Sequence, residues 1–192
     1  METYAHAFFT WALAKHGLGA GRPAAISGAV GSVIPDLPSF AGAAYFTGAG
    51  YFREGWSAMG SEEMLDAIYF TGPFGGTGSA LHSLVLPAAL LALYALLRLV
   101  TSDTVDARHV LLWFLVGWAG HTVADFLTHV NDTRPLFWPI SGWEWSSPVS
   151  YYDDDYYGRQ FFAIEHGAII VTMVLLLFKR LRRRKGGVEP DG

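Results

Sequence analysis

The stretch GWAGHTVADFLTHV, residues 117–130, sets His121, Asp125 and His129 into otherwise apolar sequence. Residues four apart lie on one face of a helix. His121 and Asp125 can therefore reach a single ion, with His129 one turn further along. Imidazole and carboxylate are the usual nitrogen and oxygen ligands of Zn²⁺, and carboxylate-rich sites also accept Mn²⁺ or Mg²⁺. Further residues of the same chemistry sit in or beside apolar sequence: His6, Asp36, His82, Glu165 and His166. A divalent ion lowers the pKa of its water to about 7 and polarises a bond to be broken, which is the chemistry a metal site here would offer. A carboxylate that binds no metal, Glu165 or one of Asp153 to Asp155, could serve as general base. The run of three aspartates reads first as a solvated turn and second as a surface Ca²⁺ site. Glu165 could instead hydrogen-bond a ligating histidine. His16 and His109 read as ordinary helix-end residues.

Composition says what must position these groups. Of 192 residues, 52% are hydrophobic, 15% aromatic and only 16% charged, with a mean hydropathy of +0.27. A soluble domain carries about 25% charged residues, so the deficit points to a membrane. Cysteine is absent, which excludes disulfides, thiolate zinc sites and cysteine nucleophiles. The net charge of −4 argues against a nucleic-acid partner. The start, METYAHAFFTWALAKHG, lacks the basic lead of a cleavable signal peptide and carries His6 within its apolar part.

Three apolar runs are long enough to span a bilayer core as helices, which takes about 20 residues: 80–100, 109–130 and 161–178. Two weaker segments precede them, 5–17 and a glycine-rich one at 24–46 that Pro35 and Pro38 interrupt. Small residues let such a broken helix pack closely against others. The expected fold is an all-α integral membrane bundle of about five helices, the second broken at Pro35/Pro38. It forms one domain over 1–185, with a disordered tail at 186–192. Residues 131–160 form an aromatic extramembrane loop in which Trp138, Trp143, Trp145, Tyr151 and Tyr152 suit the membrane–water interface. Residues 62–69 read as a short helix, with Ser61 as its cap.

The basic run KRLRRRK, 179–185, belongs on the cytoplasmic side. Counting back gives five passes in the cell membrane, the N-terminus outside and the C-terminus in the cytoplasm. The eight ionisable candidates, none of which entered that assignment, then gather at one depth near the outer face. Polar residues within spans are costly and mark functional sites. Asp36, His82, His121 and Asp125 form the primary ligand set, with His6, His129 and His166 as further candidates and Glu165, Asp153 and Asp154 as candidate bases. A site in the outer leaflet suits a lipid or lipid-linked substrate. The alternative is a non-enzymatic membrane protein, either a metal or proton transporter or a structural bundle. The inner halves of the runs are almost purely apolar, which disfavours a through-path.

The motifs GSVIPDLPSF, LHSLVLP and GWAGHTVADFLTHVNDTRPLFWPISGWEWSSPVSYYD resemble the YdjM-type family of membrane-bound metal-dependent hydrolases. The matching positions are Pro35-Asp36, His82-Ser83, His121 with Asp125, and Phe137 to Pro139. The resemblance implies a membrane metallohydrolase with those histidines and aspartates as ligands. The His-x-x-x-Asp helix is similar, more distantly, to zinc-dependent phospholipase C, which is all-helical and implies zinc and a phosphoester substrate. One departure stands out. The stretch GGTGSAL before His82 lacks the basic residue that family members often carry there, so a cation facing a substrate phosphate would come from Arg134 or Arg159.

Overall fold

A computed structural model of the protein describes residues 1–53, 62–101 and 106–186. Ser61 and the residues from 187 onward lie outside these, and with them the expected cap and most of the expected tail. The regular elements among the described residues are all helices, with no strand. Helix α1, Thr3–Ala12, runs on through a wider turn to Gly17, and Gly19, at φ +68°, allows the reversal that follows. Helix α2, Arg22–Gly31, opens with Pro23 in its first turn, where a missing N–H costs nothing. It stops at Gly31, four residues before Pro35, whose ring has no N–H to offer the Gly31 carbonyl and would crowd it. A tight 3₁₀ turn, Ile34–Asp36, then turns the chain into α3, Leu37–Arg53. The break expected at Pro35/Pro38 is therefore present, and Asp36 sits in it.

Helix α4, Glu62–Asp66, and the turn Ala67–Thr71 lead to α5, Gly75–Leu81. Helix α6 covers Val85–Val100. The run expected to be one straight helix from residue 80 is instead bent by 46° between α5 and α6, with His82 and Ser83 at the bend. Helix α7, Val110–Phe126, begins under the carboxylate of Asp106, which accepts from the N–H groups of Val110, Leu111 and Leu112 at 2.6, 3.2 and 3.1 Å. Those are orphan donors of a helix start. The helix ends at Phe126, four residues earlier than expected, so His129 lies in the turn beyond it. Helix α8 is Gly158–Gly186.

The tightest packing is α2 along α7. Three glycines permit it. A Cβ on Gly117 would overlap the carbonyl of Gly28, and one on Gly31 would overlap the carbonyl of Phe114. Ala14, Ala24, Ala25 and Trp113 close the core beside this contact. The loop 127–157 folds back over the same end of the bundle. Ser147 N–H bonds to the carbonyl of His129 at 2.9 Å, and Leu84 N–H to that of Leu136 at 2.9 Å.

Apolar side chains elsewhere face outward. Leu99 and Val100 on α6 are each 81% exposed, and Ile164 on α8 is 71% exposed. Surfaces of this kind meet lipid or a partner. Among the described residues, one helix, Gly158–Arg182, is long and apolar enough to cross a membrane by itself, and 6% of its most apolar window is buried. The bent pair α5–α6 is a second span if counted as one broken helix, and α7 is apolar but 17 residues long. Of the five expected passes, then, one is a continuous helix of spanning length.

Candidate metal centre

Four side chains converge where the α2–α3 break, the α5–α6 bend and the end of α7 meet. His82 Nε2 lies 3.3 Å from His121 Nε2. Asp36 Oδ1 is 3.4 Å from His82 Nε2 and 3.5 Å from His121 Nε2. Asp125 Oδ2 is 2.9 Å from His121 Nε2 and 3.5 Å from His82 Nε2. All four donors fall within 4.8 Å of one another. Ligands about 2.0–2.1 Å from a tetrahedral ion stand roughly 3.3–3.4 Å apart. These two nitrogens and two oxygens therefore fit one divalent cation.

The backbone fixes which nitrogen faces the centre. His82 Nδ1 donates to the carbonyl of Gly78 at 2.8 Å, and His121 Nδ1 to that of Ser32 at 2.7 Å. Each Nε2 is left with its lone pair pointing inward, the form a metal requires. The Gly78 carbonyl also accepts the backbone N–H of His82, at 3.0 Å. Gly78 is four residues before His82, at the end of α5, and Ser32 is in the turn after α2, where the 3₁₀ turn ends the helical ladder. Trp118 Nε1 donates to Leu81 O at 2.6 Å and ties α7 to the bend that carries His82. Thr3 donates its hydroxyl to Asp36 Oδ2 and holds the opposite carboxylate oxygen.

The remaining expected residues divide. His6 is buried, stacked on His121 at 4.0 Å, with Nε2 2.8 Å from Asp125 Oδ1. It thus lies on the other oxygen of a shared carboxylate. His129 Nε2 is 3.4 Å from Asp125 Oδ2, and its Nδ1 is 2.8 Å from Asp132. Burial opposes a charge on His129, but Asp125 and Asp132 outweigh it and raise its pKa to about 9. Glu165 and His166 do not join the quartet. Glu165 accepts from Glu2 N–H at 3.3 Å, and His166 pairs with Tyr4 at 2.5 Å and stacks on Phe162 at 3.8 Å, so both fasten α8 to the start of α1. Asp153 accepts from Asp155 N–H and from Asn131, each at 3.0 Å, and Asp154 pairs with exposed Arg159 at 2.7 Å. The aspartate run is a hydrogen-bonded turn on the loop.

Three participants were not singled out from the sequence. Asp132 orients His129; its spacing of three from that histidine was the available signal. The Met1 amino group sits 3.1 Å from Asp125 Oδ1 and 2.9 Å from Thr128 Oγ1. The third is Thr3. Above the quartet, a cavity of about 30 Å³ is lined by His82, Asp125, His129 and Trp145 among others, which is room for a water. A second cavity of about 240 Å³ opens from Asp36, His82 and Asp125 toward Tyr69 and Tyr151. Aromatic residues of the loop roof this end: Trp145 packs on Phe126 at 4.8 Å and Tyr151 on His129 at 5.0 Å.

A family model described as YdjM inner membrane protein matches residues 1–186. The chain belongs to the YdjM inner membrane protein family. The exposed apolar faces of α6 and α8 accord with a place in the membrane for a YdjM family member, and the buried histidine–aspartate quartet is a group that can hold a metal ion. Neither a curated protein nor a solved structure matches the chain.

Proposed function

We propose that this YdjM family protein is a membrane-bound metal-dependent hydrolase that acts on a phosphoester or other lipid-type substrate at the outer face of the membrane. The observation that carries this reading is the quartet of Asp36, His82, His121 and Asp125, whose donor spacings match a tetrahedral ion and whose imidazoles are locked in the ligating tautomer. Zn²⁺ suits two imidazoles and two carboxylates best, with Mn²⁺ or Mg²⁺ as alternatives. Bound there, the ion would supply an activated water and an electrophile for the scissile bond.

The chain's own groups supply the rest. Water adds to the electrophilic centre and gives up a proton to solvent, the ester bond breaks, and the departing oxygen takes up a proton. His129, held by Asp132 at 2.8 Å and lining both cavities beside the quartet, is placed to give it. Neither Glu165 nor Asp154 is in the pocket lining with the quartet, which favours His129 over the carboxylates as the proton-transfer group. The roof of loop aromatics suits a substrate drawn sideways from lipid. Five membrane passes, with α5–α6 and α2–α3 as broken spans and the basic end of α8 in the cytoplasm, would bury the quartet just beneath the outer face.

The test is metal content followed by catalysis. Protein purified in mild detergent should carry at least one transition-metal ion per chain. It should hydrolyse phosphodiester or phospholipid substrates, lose that activity on chelation and regain it on adding Zn²⁺ or Mn²⁺. A chain that takes up none of Zn²⁺, Mn²⁺ or Mg²⁺ would refute the proposal and leave a structural bundle.

A further inference from the structure

A buried cation, Arg134, stands at the edge of the quartet, drawn chiefly to Asp132 in the same cavities but in no ion pair of direct contact among the described residues. Arg134 comes from the loop after α7 and runs to the turn Ala67–Thr71, where its guanidinium lies 5.5 Å from the Phe70 ring centroid and 6.0 Å from that of Tyr69. Nη2 reaches Ser39 Oγ at a long 3.4 Å. Nη1 is buried and has no hydrogen-bond partner among the described residues. Room for Nη1 exists because residue 78 has no side chain: a Cβ there would collide with it. A guanidinium stays charged at any ordinary pH, and a buried charged donor left unpaired is costly. The cost is relieved when an anion enters.

The cavities say where the anion would sit. Arg134 lines both the 30 Å³ and the 240 Å³ cavity, and so do His82, Asp125 and His129. A ligand in the larger cavity therefore meets the guanidinium and the quartet together. A carboxylate has two coplanar oxygens, which one guanidinium fork uses up. A tetrahedral oxyanion has oxygens left over to face the quartet. Arg159, the other arginine of the loop region, is exposed and paired with Asp154, so it has no such role.

We propose that Arg134 is the anion-binding residue of this pocket and that its ligand is a phosphoryl group, carried by a phospholipid head or by a soluble phosphoester. The catalytic meaning of this site rests on the hydrolase reading above; the binding itself does not.

The experiment measures the affinity of inorganic phosphate for the purified full chain in detergent, with Zn²⁺ and without, alongside metal content per chain. Two variants disturb the guanidinium from opposite sides. Arg134→Lys keeps the charge and loses the fork. Gly78→Ala keeps Arg134 and fills the place of Nη1, and the three atoms nearest its methyl all belong to the guanidinium. Both should weaken phosphate at least tenfold, which is about 1.4 kcal/mol, with zinc content unchanged. Displacement of phosphate by phosphatidic acid in mixed micelles, but not by phosphatidylcholine, would support a lipid head group; displacement by p-nitrophenyl phosphate alone would support a soluble ester. Acetate competing as well as phosphate would overturn the phosphoryl assignment. Wild-type phosphate affinity in both variants, with full metal content, would overturn the site and leave the metal centre standing. A chain that binds no zinc, yet loses phosphate on Arg134→Lys, would sink the hydrolase reading and keep the anion site.

Discussion

Replacing Asp125 with asparagine tests the metal centre most directly. Asp125 is almost fully buried and its two oxygens serve different neighbours. Oδ2 faces His121 at 2.9 Å, His129 at 3.4 Å and His82 at 3.5 Å, while Oδ1 faces His6 at 2.8 Å. Asparagine keeps the shape and removes the charge. The quartet then offers one carboxylate instead of two to a divalent ion. Removing one partner of a buried charged pair costs about 3–5 kcal/mol, and each 1.4 kcal/mol is about tenfold in affinity. Zn²⁺ should therefore bind about two to four orders of magnitude more weakly to Asp125→Asn, measured by chelator competition and by elemental analysis after gel filtration. Asp153→Asn, on the hydrogen-bonded turn of the loop, should retain the wild-type metal content. A structural bundle makes a different forecast: Asp125→Asn would lower thermal stability, and wild type would carry no metal to lose. Stoichiometric, wild-type-affinity zinc in Asp125→Asn would refute the reasoning, because Asp125 supplies the carboxylate oxygen nearer to His121 Nε2, at 2.9 Å against 3.5 Å for Asp36.

Gly117→Ala should lower the melting temperature sharply, since its methyl would overlap the backbone of Gly28 across the α2–α7 contact; overpacking of this sort costs about 1–3 kcal/mol, and detergent-solubilised thermal melts will read it. In chelator-treated protein, His129 has a folded-state pKa of about 9 against an unfolded value of 6.5, so its stabilising charge is fully present below pH 6.5 and is lost as pH rises through 9. The melting temperature should fall between pH 7 and 10, and fall less in His129→Gln; equal slopes would remove the ion pairs of His129 with Asp125 and Asp132 from consideration. The chain has no cysteine, so single cysteines report sidedness cleanly. Asp154→Cys should react with an impermeant maleimide on intact cells and Lys179→Cys only after permeabilisation; the opposite pattern would invert the proposed orientation.

Much of this protein was legible before any fold was known, and the reason is chemical cost. An ionisable residue in an apolar run pays a desolvation penalty wherever it ends up, so His82, His121 and Asp125 stand out in sequence without any knowledge of their partners. Pro35 and Pro38 mark the helix break just as locally, because proline restricts its own backbone and that of the residue before it. Helical periodicity put His121 and Asp125 on one face. What the sequence could not decide is which distant groups meet. Asp36 reaches the quartet because three glycines let α2 lie against α7, and His82 reaches it because the chain bends by 46° at that residue rather than continuing straight. His166 and Glu165 carry the same side-chain chemistry as the ligands, but α8 spends them on the start of α1. Asp132 and Arg134 enter the pocket through a loop whose path is set by long-range hydrogen bonds such as Leu84 to Leu136. Local sequence thus determined the cost and the spacing of the polar groups, whereas the close approach of backbones far apart in the chain, a property of the packed whole, selected the four that share a centre.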